Sequence, residues 1–307
     1  MLLAAATLTT QTALILGFPL MLYIFLFRSR LQALCFTGFF IITISLTSLW
    51  FNTSTQSWYF FYAFALPAQH PILWNRMSSF WLQQILAPLG IAAGMTASYF
   101  FLIPLKKSRA PALLYALFFI TMLAISCMPW IKIGGFKNVL PPVHAALAIG
   151  AGLALTAART NRVRRLLLIA ACIQFALLWY NPLPIIPTAS NAAVVRSTIA
   201  AIKEIDGEVF APASGYLSVM AGKKHSAHIG CINDILHAKP GAVRNRLIIE
   251  IRQAISNKQF AAILLDRRFK FFQRDIQTHY ILWPQYADQL TYRPLINSWY
   301  IPDVPFP

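Results

Sequence analysis

The sequence predicts a mainly α-helical polytopic membrane protein with about six spans, followed by a small α/β soluble domain. Two observations carry this prediction. Of the 307 residues, 58% are hydrophobic and 11% are charged, whereas a soluble globular chain carries about 25% charged residues. All nine Asp and Glu residues lie at or after Glu204, while the residues before it include fourteen Lys and Arg. This uneven charge indicates one region in a membrane and a second region in water.

Six apolar stretches reach the length of about 20 residues that crosses the hydrocarbon core of a bilayer. They are 8–27, 31–50, 80–104, 111–130, 139–157 and 164–181. The first stretch lacks the basic start and the small-residue cleavage site of a signal peptide, so we interpret it as a retained span. A transmembrane domain is therefore predicted over residues 1–182, with outer-side loops at 51–79 and 131–138.

Basic residues mark alternate connections between these stretches, and cytoplasmic loops are the ones enriched in Lys and Arg. Nine basic residues define the cytoplasmic side: Arg28, Arg30, Lys106, Lys107, Arg109, Arg159, Arg162, Arg164 and Arg165. The other connections contain three, Arg76, Lys132 and Lys137. This bias predicts a multi-pass protein of the inner (plasma) membrane with both termini outside the cytoplasm. Basic clusters also bind nucleic acid, but we favour topological anchoring and expect no nucleic-acid partner.

The residues after the last span predict an extracytoplasmic α/β domain over 190–307, joined by a proline-rich linker at 183–189. Helical apolar spacing appears in "AAVVRSTIAAIKEI" and "VRNRLIIEIRQAISNKQF", and a short helix is expected in "YLSVMAGKK". Strands are expected in "GEVFAPASG" and "AAILLD". Alternating helices and strands favour a layered α/β arrangement.

No pattern in the sequence assigns a cofactor or a metal. His225 and His228 are three residues apart, which suits two metal ligands on a helix, but on a strand they would point to opposite faces. Asp234 and Asp266 are candidate functional acids, although we favour structural roles such as surface ion pairs for both. A requirement for a divalent metal stays open, with no ligands recognised.

The stretch "WIKIGGFKNVLPPVHAAL", residues 130–147, places polar groups between two apolar runs. Lys132 and Lys137 suit a lipid phosphate, because an ammonium group attracts a phosphate at the edge of a low-dielectric region. Asn138 can donate a side-chain hydrogen bond, and His144 lies about one turn inside the next span. The alternative is that both lysines only anchor the loop and that His144 packs between helices.

Backbone groups are expected to contribute to the same phosphate site. Gly134 and Gly135 would let the backbone approach the phosphate closely. The start of the following helix would add exposed N–H groups and the positive end of its dipole, although Pro141 and Pro142 cannot donate.

The 51–79 connection adds a second set of candidates on the same side. Its aromatic segment "WYFFYAFALPAQHPILW" suits an interfacial or re-entrant position, and an aromatic belt that sets its depth is the interpretation we favour for these rings. His70 and Arg76 are less easily explained in that way. Together with Lys132 and Lys137, they are predicted to converge on one anionic headgroup.

Three segments in order, "WYFFYAFALPAQHP", "GGFKNVLPPVHAALAIGAGLAL" and "GEVFAPASGYLSVMAGKKHSAH", resemble the carboxy-terminal half of bacterial GT-C-type membrane glycosyltransferases. The resemblance implies transfer of a sugar from a polyprenyl-phosphate donor to an acceptor on the outer face. It also implies that the partners are a polyprenyl-phosphate-linked sugar and membrane lipid.

The chain departs from that family in one chemical respect. The family resemblance implies an acidic residue in the first outer loop, and a carboxylate is the usual general base, yet none precedes Glu204. The predicted outer amino terminus also differs from the family's cytoplasmic start. We therefore expect a truncated, split or degenerate gene product, with a separately encoded amino-terminal half as a potential partner.

Two other functions stay open beside a glycosyltransferase. One is a noncatalytic membrane-binding or assembly module derived from such an enzyme. The other is a transporter, which is less favoured because the spans contain no relay of ionisable residues and no evident inverted repeat.

Overall fold

The structure, a computed structural model, describes residues 2–103, 109–265 and 271–282, together with the strand segments 291–292, 295–296 and 298–302. It is mainly helical, with 75% helix and 4% strand. The chain divides into two compact units, Met1–Tyr180 and Asn181–Pro307. Three residues discussed above, Lys106, Lys107 and Asp266, lie outside the described ranges.

The first unit is built from helices joined by short turns. Its α-helices, within the described ranges, are α1 (Leu2–Thr9), α2 (Gly17–Phe27), α3 (Arg30–Ser54), α4 (Trp58–Phe60), α5 (Leu66–Gln69), α6 (Arg76–Ser79), α7 (Ala87–Leu102), α8 (Arg109–Trp130), α9 (Pro141–Ala157) and α10 (Asn161–Leu177). A π-helical turn over Phe61–Ala65 links α4 to α5, and another over Phe80–Leu86 links α6 to α7. The second link makes one helical segment of α6 and α7.

Three helical segments in the described part of the chain are long and apolar enough to cross a membrane. They are Arg30–Ser54, Arg76–Leu102 and Arg109–Trp130. These segments correspond to the stretches 31–50, 80–104 and 111–130 of the sequence prediction. The prediction of six spans was wrong in number, because the other three stretches form shorter helices.

The first predicted span is interrupted near its start. Thr10 adopts an extended conformation with φ of −147°, and a 3-10 turn over Gln11–Leu16 follows. The break at Thr10 limits the apolar helical run to Gln11–Phe27, which falls short of the length of a full span.

The last two predicted spans are short for different reasons. Helix α9 has 17 residues, because Pro141 and Pro142 fix its start and therefore leave residues 139 and 140 outside it. Helix α10 also has 17 residues, beginning at Asn161 with a Thr160 cap, and its first turns contain arginines. Polar residues at its start shorten the apolar part further.

Helix α7 packs closely along α9. The Thr96 hydroxyl donates to the backbone carbonyl of Leu147 at 3.1 Å, and a Cβ on Gly150 would lie only 2.4 Å from the Thr96 side chain. Tyr99 and Ala154 are buried together about one turn further along the two helices. The two helices therefore run in the same direction with their backbones in close approach.

Where it is described, the second unit contains five α-helices and short strands. The helices are α11 (Ala189–Glu204), α12 (Gly215–Met220), α13 (Ile229–His237), α14 (Ala242–Ser256) and α15 (Gln273–His279). The described strands are β1 (Val209–Phe210), β2 (Ala262–Leu265), β3 (Tyr280–Leu282), β4 (Thr291–Tyr292), β5 (Leu295–Ile296) and β6 (Ser298–Pro302). A four-stranded sheet has the order β1-β2-β6-β3, with β1 and β2 parallel and the other pairs antiparallel. Strands β4 and β5 pair separately.

The individual elements predicted for this unit are confirmed, including α11, α12, α14 and the strands β1 and β2. The prediction of a distinct α/β domain was wrong in its proportion of helix to strand, since helices supply most of the regular structure. The physical reason lies in the spacing of apolar residues. In the described part of the unit, the short runs at β1 and β2 are buried along their whole length, whereas most other apolar residues follow helical spacing, as in the buried face of α13.

Candidate functional site

Two connecting segments of the first unit pair with each other through their backbones. Ile72 and Lys132 form an antiparallel β-bridge. The Leu73 N–H donates to the Ile131 carbonyl at 2.7 Å, and the Ile133 N–H donates to the Pro71 carbonyl at 3.1 Å. We refer to residues 66–76 and 130–140 as the paired loops. The segments 51–79 and 131–138, which the sequence assigned to one side of a membrane, are thus in direct contact.

Arg76 is hydrogen-bonded to the backbone of the second paired loop, residues 130–140. Its Nη1 donates to the carbonyl oxygens of Lys132 at 3.1 Å and Gly135 at 3.2 Å, and lies 3.5 Å from that of Trp130. One guanidinium nitrogen therefore contacts three backbone carbonyls of a single turn. Arg76 therefore has a structural role. A guanidinium has five N–H donors in total, and a phosphate would have to use the donors that this role leaves.

Lys132, in the second paired loop, is hydrogen-bonded to the backbone of the first. Its ammonium Nζ donates to the carbonyl of Pro67 at 2.9 Å, and the side chain is partly buried. An ammonium has three donors, so two remain for another acceptor. Lys132 is therefore a cross-link between the paired loops as well as a candidate phosphate ligand.

The glycines of the second loop are required by the loop itself. Gly134 has φ of +86°, a conformation that glycine adopts without strain. A Cβ on Gly135 would lie 2.2 Å from the carbonyl oxygen of Pro129. The close approach that the sequence predicted is thus made to the protein's own backbone.

Lys137 and Asn138 project from the same loop. Both are exposed, in a 3-10 turn over Lys137–Val139 that leads into α9. Within the described part of the chain, neither side chain has a hydrogen-bond partner, and Phe136 beside them is 70% exposed. Since no carboxylate precedes Glu204, no acidic side chain of the first unit neutralises Lys137. These two residues remain available to an anion.

The first turn of α9 offers no free backbone donor to that anion. Pro141 and Pro142 lack N–H groups. The Val143 N–H donates to the hydroxyl of Ser126 at 3.1 Å, and the His144 N–H donates to the Leu140 carbonyl at 3.1 Å. The expectation of exposed N–H groups at this helix start was therefore wrong, because the buried Ser126 of α8 caps it.

The two histidines lie at the edges of the paired loops. His144 is exposed on the first turn of α9 and makes a hydrogen-bonding contact with the backbone of Gln84. In a regular helix the carbonyl of Gln84 would accept from the N–H of residue 88, but Pro88 has no N–H. His144 therefore contacts a neighbouring helix, as in the alternative interpretation that it packs between helices. His70 is partly buried, ends α5 with an extended backbone, and lies two residues before the β-bridge.

The aromatic segment before the first loop forms a cluster of rings. Trp58 lies 5.4 Å from Phe61 and 5.7 Å from Tyr62, measured between ring centroids, and Phe60 lies 5.5 Å from Phe64. Trp58, Phe60, Tyr62 and Phe64 are all exposed. Large exposed rings next to spanning helices are typical of the membrane interface.

Sequence reasoning missed two polar residues that fix the helices around this site. Ser126 caps α9, as described above, and Gln174 of α10 bonds to the backbone of α7 at Ala92. Trp130 adds a third feature, since its indole Nε1 is buried without a hydrogen-bond partner in the described ranges. No sequence pattern identifies these contacts, because the partners are 17 to 82 residues apart.

One candidate residue of the second unit, His228, has a local structural role. The His228 Nδ1 accepts a hydrogen bond from the Gly230 N–H at 3.0 Å and so caps α13. Among the described residues, no three His, Cys, Asp or Glu side chains form a group that could hold a metal. The exposed Lys224 forms an ion pair with Glu208 at 2.5 Å, which raises the pKa of the Lys224 ammonium through hydrogen bonding and charge.

Comparisons of the chain with protein-family models, with curated proteins and with solved structures find no match. The function is therefore inferred from the chain's own residues.

Proposed function

We propose that this chain is a membrane protein that binds the phosphate of a lipid-linked sugar at the paired loops. The observation that carries the proposal is the pair Lys137 and Asn138. Both are exposed and unpartnered among the described residues, and they project from a loop that Arg76 and Lys132 hold in place. A fixed loop avoids the entropy cost of ordering a flexible one when a ligand binds.

The electrostatics of the first unit favour an anionic ligand. The sequence of this unit, up to Tyr180, carries twelve basic and no acidic side chains. Two opposite unit charges 4 Å apart attract by about 4 kcal/mol at an effective dielectric constant near 20. Lys137 would be the main charged contact, Asn138 a hydrogen-bond donor, and the remaining donors of Lys132 and Arg76 secondary contacts.

The resemblance to GT-C-type glycosyltransferases suggests the class of lipid. We propose a polyprenyl-phosphate-linked sugar as the ligand, bound for transfer to an outer-face acceptor. Transfer needs a group that takes a proton from the acceptor, and the first unit has no carboxylate to serve. The base would come from a separately encoded amino-terminal half or from the second unit.

The same lack of a carboxylate favours a second candidate function. A noncatalytic module would bind the lipid phosphate and hold it for a partner without transferring the sugar. Both candidates share the phosphate site and differ in turnover. A purified chain that binds the lipid but transfers no sugar to candidate acceptors would favour the module or the split enzyme. Turnover that disappears in Asp234→Asn would place the chemistry in the second unit.

The location we propose is the plasma membrane, with the paired loops and the residues after 182 on the extracytoplasmic side. The first loop lies between two segments of spanning length and the second follows the third segment, so one side of the bilayer suits both loops. Single cysteines in a cysteine-free background test the orientation. A cysteine at Ser190 should react with an impermeant reagent in intact cells, whereas one at Ser29, at the start of the first spanning segment, should not. The reverse pattern would contradict the orientation.

Binding is tested with the purified full chain in nanodiscs of phosphatidylcholine, titrated with polyprenyl phosphate. Lys137→Ala should weaken binding by about 1–3 kcal/mol, roughly 5- to 150-fold in Kd, because a charge-assisted contact is lost. Lys239→Ala, which removes an exposed lysine from the second unit, is the matched control and should leave the Kd unchanged. If the Lys137→Ala and Asn138→Ala double variant binds like the parent, the phosphate site is wrong.

A further inference from the structure

Helices α7, α9 and α10 line a partly open cavity of about 270 Å³ in the first unit. Helix α9 contributes one continuous face to it: His144, Leu147, Ala148, Ala151, Gly152 and Leu155. This spacing follows the helical repeat, so the six side chains line one stripe along the helix. Eleven residues at 1.5 Å each give the stripe a length of about 16 Å. The cavity is therefore a groove parallel to the helices, and we call it the α9 groove.

The α9 groove has a polar end and an apolar end. His144 lines it in the first turn of α9, next to the paired loops, and Gln174 lines it from α10 with its amide bonded to the backbone of α7. Beyond them the lining is apolar, and Leu155 marks the other end on α9. A groove with this polarity suits an amphiphile with its headgroup at the loops. Apolar cavities do not hold ordered water, so a hydrocarbon is the matching occupant.

The polar end of the groove is continuous with the proposed phosphate site. The Leu140 N–H donates to the Lys137 carbonyl at 3.1 Å, and the His144 N–H donates to the Leu140 carbonyl at 3.1 Å. These two helical turns fix the seven steps of the chain from Lys137 to His144. At 1.5 to 2.0 Å of rise per residue, they separate the two by roughly 10–14 Å along the axis.

We propose that the α9 groove holds one hydrocarbon chain of the lipid whose phosphate binds Lys137. The inference rests on the proposed function and adds the path of the chain, which runs from His144 toward Leu155. The small residues Ala148, Ala151 and Gly152 leave room for it on α9. In a bilayer the gain over free lipid comes from close packing rather than from removal of water, so the shape of the groove selects the chain.

Photo-crosslinking locates the chain in the full-length protein. The probe is a polyprenyl phosphate with one diazirine in the middle of its chain, added to the protein in phosphatidylcholine nanodiscs. Mass spectrometry should find the label on residues 144–155 of α9 and on the facing turns of α7 and α10.

Two glycine variants make a matched pair for this experiment. A Cβ would meet nothing within 4 Å at either Gly152, which lines the groove, or Gly94, which does not. Gly152→Leu should abolish labelling of α9, because the new side chain fills the groove. Gly94→Leu adds the same side chain to the neighbouring helix and should label like the parent.

The outcomes separate this inference from the proposed function. If Lys137→Ala weakens binding of the probe but Gly152→Leu leaves labelling of α9 intact, the groove assignment is wrong and the phosphate site stands. Labelling of α9 that does not depend on Lys137 would mean that the groove takes a chain unrelated to that site, which also overturns the inference. A diazirine-tailed phosphatidylcholine is the last comparison, and equal labelling of the groove by it would show an occupant drawn from bulk lipid.

Discussion

The side-chain amide of Gln174 takes the place of a backbone hydrogen bond at Ala92. In a regular helix the Ala92 N–H would donate to the carbonyl of Pro88. Instead it donates to the Gln174 Oε1 at 3.0 Å, and the Gln174 Nε2 donates to the Pro88 carbonyl at 2.8 Å. Leu89 between them departs from helical geometry, with φ of −130° and ψ of 19°. One amide of α10 thus bridges a kink in α7 with both of its polar atoms.

Replacing this amide should destabilise the first unit. Gln174→Leu leaves the buried Ala92 N–H and the Pro88 carbonyl without partners, and an unsatisfied buried group costs about 1–3 kcal/mol. We expect a lower free energy of unfolding in mixed micelles, measured by titration with a denaturing detergent. Gln83→Leu, at an exposed site of the helical segment that contains α7, is the control. Equal stability of Gln174→Leu and the parent would show that the bridge contributes nothing.

The close approach of α7 and α9 predicts a second effect on stability. Gly150→Ala would place a Cβ 2.4 Å from Thr96 Cγ2 and 2.5 Å from its Oγ1, and such overpacking typically costs about 1–3 kcal/mol. Gly94→Ala, where a Cβ meets nothing within 4 Å, should not destabilise the protein. The same detergent titration measures both variants.

A double-mutant cycle identifies the clash as the cause. Thr96→Ala removes the two atoms that a Cβ on Gly150 would approach most closely and leaves the Cβ of residue 96 at 2.8 Å, so the double variant should be more stable than the sum of the two single changes predicts. Residues in contact commonly show interaction energies of about 0.5–3 kcal/mol. Strict additivity of the two changes would contradict the close contact.

Hydropathy predicted the long spans because length and apolar composition alone define them. The segments Arg30–Ser54, Arg76–Leu102 and Arg109–Trp130 are continuous apolar runs. The shorter helices depend on single positions where the backbone changes course, such as the extended Thr10. A hydropathy window averages over such a position, so the sequence overcounted the spans. The kink at Leu89 is bridged by Gln174 of α10, a contact that no local pattern encodes.

The sequence predicted that the two loops meet but not which groups their basic residues contact. Two basic loops on one side of a membrane were expected to converge, and Ile72 and Lys132 do pair. Whether a basic side chain binds a ligand or the protein's own carbonyls depends on distances between residues far apart in sequence. Arg76 and Gly135 are 59 residues apart, and composition does not place one beside the other. Lys137 and Lys132 are the same type of residue, and they differ only in the groups that the fold places near their ammonium groups.

Because Arg76 contacts three carbonyls of the second paired loop, replacing it should change the hydrogen-exchange protection of nearby backbone amides. Arg76→Gln removes the donors shared by three carbonyls, and the paired loops should open more often. The amides of Leu73 and Ile133, which cross between the loops, should exchange faster by a factor that corresponds to about 1–3 kcal/mol in the opening free energy. Hydrogen exchange followed by mass spectrometry of the peptides that contain them is the measurement.

Two further variants separate geometry from charge at Arg76. Arg76→Lys keeps the charge but lacks the planar fork, so it should restore only part of the protection. Lys137→Gln removes an exposed charge from the same loop and should leave both amides protected. Unchanged exchange in Arg76→Gln would mean that the β-bridge alone holds the loops together.

Ionisation of Tyr280 should set the upper pH limit of the second unit's stability. Its side chain is almost completely buried, and the hydroxyl donates to the Phe260 carbonyl at 2.9 Å. Burial raises the pKa of Tyr280 above its ordinary value of 10.0, because the charged form would lose its hydration. The folded state thus binds this proton more tightly than the unfolded state does. The resulting stabilisation is full below pH 10 and is lost as the pH rises through the raised pKa.

Tyr280→Phe tests this linkage, since it keeps the ring and removes the titrating group. The variant should lose about 0.5–1.5 kcal/mol at neutral pH, the net value of one hydrogen bond, and its stability should fall less steeply than the parent's above pH 10. Urea unfolding of the full chain, followed by proteolysis and mass spectrometry of residues 181–307, gives both slopes. Tyr216→Phe is the matched control, because Tyr216 is 74% exposed and its ionisation costs no burial. If Tyr280→Phe and the parent lose stability in parallel above pH 10, another group controls the alkaline limit.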